Sequence, residues 1–126
     1  MEELTQTEKI ENMMERFSTV SFNTNISAKM VSTTNQRFKY LVGLEGGLQL
    51  VGMIGYFTYN NFHTSFIKKV IMLDNVLTLV TRNSMYQFEI SDFEFIDMYG
   101  SGILFELSDN ELSEIEDFID NNREYY

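Results

Sequence analysis

The spacing of hydrophobic positions changes along the chain, and each change marks an element. Ile10, Met13, Met14 and Phe17 fall at i, i+3, i+4 and i+7, one face of a helix, with Glu8, Glu11, Glu15 and Arg16 elsewhere on the wheel. Thr5-Gln6-Thr7-Glu8 ahead of them has capping-box spacing, so a helix is predicted from about Thr7 to Phe17. Val20 and Phe22 then alternate with polar residues, which suits a strand or extended edge from Ser18 to Ile26, and Ala28 to Thr33 suits a second short strand. After a turn at Thr33-Thr34-Asn35-Gln36, Arg37 to Val42 alternates as a strand with Phe38, Tyr40 and Val42 on one face. Gly43, Gly46 and Gly47 bracket the next turn. Leu48 to Tyr59 follows as a strand bent at Gly52 and Gly55.

The clearest signal lies between Ile67 and Leu107. Ile67 to Leu73 is apolar and partly β-branched, Asp74-Asn75 is a two-residue turn, and Val76 to Thr81 resumes the strand pattern. Arg82-Asn83-Ser84 turns the chain again. Tyr86, Phe88 and Ile90 then alternate with Gln87 and Glu89, the period of a half-buried strand. Phe93 to Tyr99 and Ile103 to Leu107 are expected to form one more strand pair around Gly100-Ser101-Gly102. Ser108-Asp109-Asn110-Glu111 is a second capping box. It opens a helix whose inner face is Leu112, Ile115 and Ile119, with Phe118 at its edge. Asn121-Asn122 ends that helix and Arg123 to Tyr126 is a tail.

These elements predict an α+β fold: an N-terminal helix, a strongly curved antiparallel sheet or small open β-barrel of about six to eight strands, and an acidic C-terminal helix. The order is loosely similar to that of pleckstrin-homology-like or SH3-like barrels followed by a helix. The 126 residues suit one domain, divided into an N-terminal helix (1–17), a β-meander or barrel (18–107) and an acidic C-terminal helix and tail (108–126).

Charge sharpens the picture. The net charge of −10 is unevenly spread: residues 1–17 carry −3, residues 18–90 carry +3 and residues 91–126 carry −10. A mildly basic body thus ends in a strongly acidic segment. Its repulsion opposes duplex nucleic acid and anionic membrane as partners and favours a protein with a basic surface. The acidic start lacks the pattern of a secretory leader. Leu48 to Phe57, the most apolar run, is too short to span a bilayer. The expectation is a soluble, cytoplasmic protein.

Candidate chemistry is sparse. The chain has no Cys and a single histidine, His63, which argues against thiolate catalysis and His/Cys metal sites. The acids of the C-terminal helix match no EF-hand loop, since no glycine stands at a bend. Gly52-Met53-Ile54-Gly55 has G-x-x-G spacing but lies in an apolar run without a base. Asp92, Glu94 and Asp97 are candidates for a carboxylate pair by count only. In a strand, Asp92 and Glu94 would simply be solvated beside Phe93 and Phe95. A single-stranded nucleic-acid platform needs rings and bases on one face, whereas Arg37 and Lys39 alternate with Phe38 and Tyr40. Lys68, Lys69 and Arg82 are left as a basic edge.

The reading is therefore a small acidic, non-catalytic protein-binding module without metal or cofactor. Its partner-binding residues are Asp109, Glu111, Glu114, Glu116, Asp117 and Asp120. In its sharper form it is an inhibitor of the DNA-mimic type that phages use, occupying a basic nucleic-acid-binding surface of its target. The alternatives are a single-stranded nucleic-acid-binding protein and a structural or assembly subunit built on a small β-barrel.

Overall fold

The computed structural model describes residues 5–122. The expected tail at 123–126 lies outside that range. Helix α1 (Gln6–Ser18) is followed by strands β1 (Phe22–Thr33), β2 (Glu45–Val51), β3 (Ile54–Phe57), β4 (Ile67–Leu73), β5 (Val76–Thr81) and β6 (Met85–Ile90). Helix α2 (Phe93–Tyr99), strand β7 (Gly102–Glu106) and helix α3 (Asp109–Asn121) complete the chain. All pairings are antiparallel, and the seven strands form one open sheet in the order β3-β2-β1-β6-β5-β4-β7. The fold is α+β as expected, and the sheet does not close into a barrel.

The β4–β5–β6 meander stands where the alternation placed it. Leu73 pairs with Val76 across the Asp74-Asn75 turn, and Leu77 pairs with Phe88. Asp74 takes a positive φ of 55°, which a short polar side chain tolerates. Phe88 is fully buried between Met30 of β1 and Leu77 of β5, its fully buried partners on the two neighbouring strands.

Elsewhere the sequence pattern misleads in four places. The two expected strands between Ser18 and Thr33 are one twelve-residue strand, irregular where it pairs with both neighbours. Gln36–Leu41 is a 3-10 helix and not the expected strand. Asn35 caps it, its side chain accepting from the Arg37 N–H at 3.1 Å. The expected long strand from Leu48 to Tyr59 is the β2–β3 hairpin. Gly52 (φ 60°) and Met53 (φ 67°) form its two-residue turn, the left-handed pair that matches the twist of adjoining strands.

The fourth correction bears on function: Phe93 to Tyr99 is helix α2, not a strand. β7 pairs with β4 instead, and α2 carries the chain from β6 past β5 and β4 to reach it, a span of about 14 Å at normal strand spacing. Asp92 opens the helix by accepting from the Phe95 N–H at 3.0 Å, and Gly100, at φ 66°, ends it.

The sheet curls on itself. The Phe57 ring meets Phe88 at 5.2 Å and Phe62 meets Tyr86 at 5.2 Å, bringing the β3 end over β6. Gly55 sits close to its neighbours within this curl, since a Cβ there would lie 3.0 Å from Leu79 Cδ1 and 3.3 Å from Leu50 Cδ2. The free edge of β3 is covered by the loop ahead of β4. The Phe57 N–H donates to the Phe62 carbonyl at 3.2 Å, and the Thr64 N–H to that of Gly55 at 2.9 Å. The buried side of the sheet, together with Ile10, Met13 and Phe17 of α1 and Leu112 and Ile115 of α3, forms one apolar core. None of the helices is long and apolar enough to cross a membrane, among the described residues.

Candidate protein-binding surface

α3 stands on the body through three of its sides. Its capping box is complete. The Glu111 N–H donates to Ser108 Oγ at 3.1 Å, and the Ser108 N–H donates to Glu111 Oε1 at 3.0 Å. Leu112 and Ile115 are buried, and Phe118 and Ile119 are partly so. On one flank Lys68 Nζ reaches Asp109 Oδ1 at 2.8 Å. Arg82 there donates to Ser113 Oγ at 3.2 Å and to the Glu116 carboxylate. On the other flank Arg16 meets Glu111 Oε2 at 3.4 Å.

The six acids singled out from sequence thus divide. Asp109, Glu111 and Glu116 are tied to Lys68 of β4, Arg16 of α1 and Arg82 of the β5–β6 turn, respectively. Lys68 holds the Asp109 carboxyl below its usual range, by hydrogen bond first and by charge second. Glu111 is lowered chiefly by the backbone N–H of Ser108, with Arg16 adding to it. Glu114 and Asp117 are exposed and make no ion pair among the described residues, and Asp120 is exposed farther along the helix. The outward acidic stripe is therefore narrower than the run of carboxylates in the sequence.

The same contacts occupy the basic edge. Lys68 and Arg82 meet α3, and Lys69 lies 3.9 Å from Glu106 of β7. Arg37 lies over the Phe38 ring at 5.6 Å, because the 3-10 helix removes the alternation expected of a strand there. Arg37 also lines a polar cleft of about 480 Å³ with Asn35, Asn61, His63 and Asn83. His63 Nδ1 lies 3.0 Å from the Thr64 carbonyl, which can only accept, so that nitrogen carries the proton.

α2 is the part of the surface that sequence reasoning missed. Phe95 is buried, edge-on to Phe22 at 5.0 Å and against Tyr99 at 4.6 Å. The Tyr99 hydroxyl donates to the Thr19 carbonyl at 3.1 Å, and burial raises its pKa. The last turn of α1 thereby touches α2 through Thr19 and α3 through Arg16. Phe93 and Met98 point outward, 77% and 70% exposed, beside exposed Glu94 and Asp97. A usable signal was present in the sequence. Phe95, Ile96 and Tyr99 have helical spacing between an Asp cap and a Gly stop.

No family model matches the chain, and no curated protein or solved structure matches it.

Proposed function

We propose that this chain is a non-catalytic module that binds another protein through its helices, the partner offering a basic surface. One observation carries the reading: the charge is segregated by element type. α1, α2 and α3 hold eleven carboxylates and two bases, whereas the seven strands hold three of each. Such a surface accelerates encounter with a cationic partner and repels nucleic acid. In the sharper form, that cationic surface is one its owner uses for nucleic acid, and the helical carboxylates stand in for phosphates. Lys68, Lys69 and Arg82 each face a carboxylate, which favours this reading over a single-stranded nucleic-acid platform.

The test is affinity capture from a host lysate at about 50 and 500 mM salt, a range that shortens the Debye length severalfold. The bait is compared with a variant carrying Glu114→Gln, Asp117→Asn and Asp120→Asn. These positions leave the apolar face and the three ion pairs to Lys68, Arg82 and Arg16 intact. The expected result is a basic partner, lost at high salt, whose affinity for the variant falls about tenfold through slower association. A partner held equally well by the variant at low salt contradicts the electrostatic reading.

A further inference from the structure

We propose that the polar cleft beside the 3-10 helix binds a small organic anion with a polyhydroxylated body. Arg37 and the Tyr86 hydroxyl donate to its oxyanion, and His63 accepts from one of its hydroxyls. The cleft holds about 480 Å³, within the range of about 300–1,000 Å³ common to small-molecule sites. It lies where the 3-10 helix, the loop ahead of β4 and the β5–β6 turn meet. No residue of α1, α2 or α3 lines it, so it is a site apart from the acidic helical surface.

Charge is the first feature that defines the ligand. The chain holds 19 acids, yet no carboxylate lines the cleft. Arg16 and Arg82 each meet a carboxylate, whereas Arg37 meets none among the described residues and lies over the Phe38 ring at 5.6 Å. Its planar fork of donors matches a carboxylate or phosphate group. The net charge of −10 opposes a long polyanion, which leaves a small one.

Tyr86 adds a second donor. Asn35 Oδ1 accepts from the Arg37 N–H at 3.1 Å, so the amide nitrogen is the end that meets Tyr86, donating to its hydroxyl at 2.9 Å. The Tyr86 oxygen is the acceptor in that bond, and its own proton has no acceptor among the described residues. Tyr86 is only 3% exposed, and a buried donor left without an acceptor is costly, so a ligand oxygen that supplies one is favoured. The ring also completes the cleft floor: Phe62 meets Phe38 at 4.7 Å and Tyr86 at 5.2 Å, an apolar bed for a carbon skeleton.

His63 sets the rest of the ligand. Its Nδ1 proton is directed at the Thr64 carbonyl, so Nε2 of the neutral ring is an acceptor, which takes a hydroxyl and not an oxyanion. Asn61 and Asn83 line the same space, and an amide can both donate to and accept from hydroxyls.

The test titrates the full nitrogen-15-labelled chain with ribose 5-phosphate, gluconate, ribose and inorganic phosphate, and follows the side-chain amides of Asn35, Asn61 and Asn83. These amides should show saturable shifts with ribose 5-phosphate or gluconate, the tighter of the two naming the head group. Ribose and inorganic phosphate should each bind about tenfold more weakly or worse. Arg37→Gln, at an exposed position, should keep the spectrum elsewhere and lose about tenfold in affinity for the hydroxylated anion. Tyr86→Phe, which keeps the ring, should weaken that anion and inorganic phosphate alike. His63→Ala should weaken the hydroxylated anion and leave inorganic phosphate unchanged. Amides that stay still with both hydroxylated anions overturn the proposal, as does binding that Arg37→Gln does not change. Inorganic phosphate bound as tightly as either anion also overturns it, since the cleft would then hold an adventitious ion only. A thymidine oligonucleotide that moves the same amides at a lower concentration than either anion overturns it as well, and makes the cleft a nucleic-acid contact.

Discussion

α2 and α3 begin alike and end differently. Each follows a strand, and each is opened by a side-chain oxygen that accepts a backbone N–H: Asp92 from Phe95 at 3.0 Å, Ser108 from Glu111 at 3.1 Å. α3 has thirteen residues and four large hydrophobics, and its inner face takes all four. α2 has seven residues, five of them large and apolar, and a helix only two turns long has one core-facing stripe. Phe95, Ile96 and Tyr99 fill that stripe, and Phe93 and Met98 are left in water. The apolar residues of α3 are consumed by the fold and its charges are partly consumed by ion pairs. Those of α2 are in part surplus to the fold. The difference separates a helix that is an acidic strut from one that leaves two large apolar side chains in water.

Substitutions on the inner faces should have the largest effect. Ile115→Ala removes three carbons from a fully buried site, and a loss of about 2–5 kcal/mol is expected, read as a lower urea midpoint. A midpoint near wild type would mean that α3 does not dock as described, and the contrast with α2 would collapse.

Acid should loosen α3 by a smaller amount. Asp109 and Glu111 titrate below their ordinary values of 3.8 and 4.5 because the folded state favours their charged forms. Their contribution is therefore present above those ordinary values and is lost as pH falls through the lowered ones. The urea midpoint should drop between about pH 5.5 and pH 3, and Lys68→Met should drop less over that interval because Asp109 has already lost its partner. A Lys68→Met protein with the wild-type pH slope would contradict the ion pair as the cause. At the small end, Phe93→Ala should change stability by less than about 0.5 kcal/mol, as exposed positions do, and a larger loss would mean that Phe93 packs against the body.

The sequence made α3 legible and α2 illegible for one physical reason. In α3 the capping box, the i, i+3, i+7 spacing of Leu112, Ile115 and Ile119, and the charged opposite side all agree. In Phe93-Glu94-Phe95-Ile96-Asp97-Met98-Tyr99 the two outward hydrophobics blur the helical stripe, and Phe93-Glu94-Phe95 alternates as a strand would. A residue left exposed is the one that spoils the pattern. Arg37 to Val42 fails in the same way, since its alternation is real but the Asn35 cap and the need to turn from β1 to β2 decide for a 3-10 helix. The candidate acids were legible by type. Which of them are held in ion pairs was not, because that depends on Lys68, Arg82 and Arg16, two of which are more than thirty residues away from their partners and one more than ninety.

The contrast between the two helices rests on which hydrophobic side chains meet water, and methionine methyls report that directly. With a neutral gadolinium chelate in solution, the Met98 methyl resonance should broaden strongly. The methyls of Met30, Met53 and Met72, at most 1% exposed, should stay sharp. A Met98 resonance as protected as these three would place the side chain inside the fold, and the contrast between the two helices would fail.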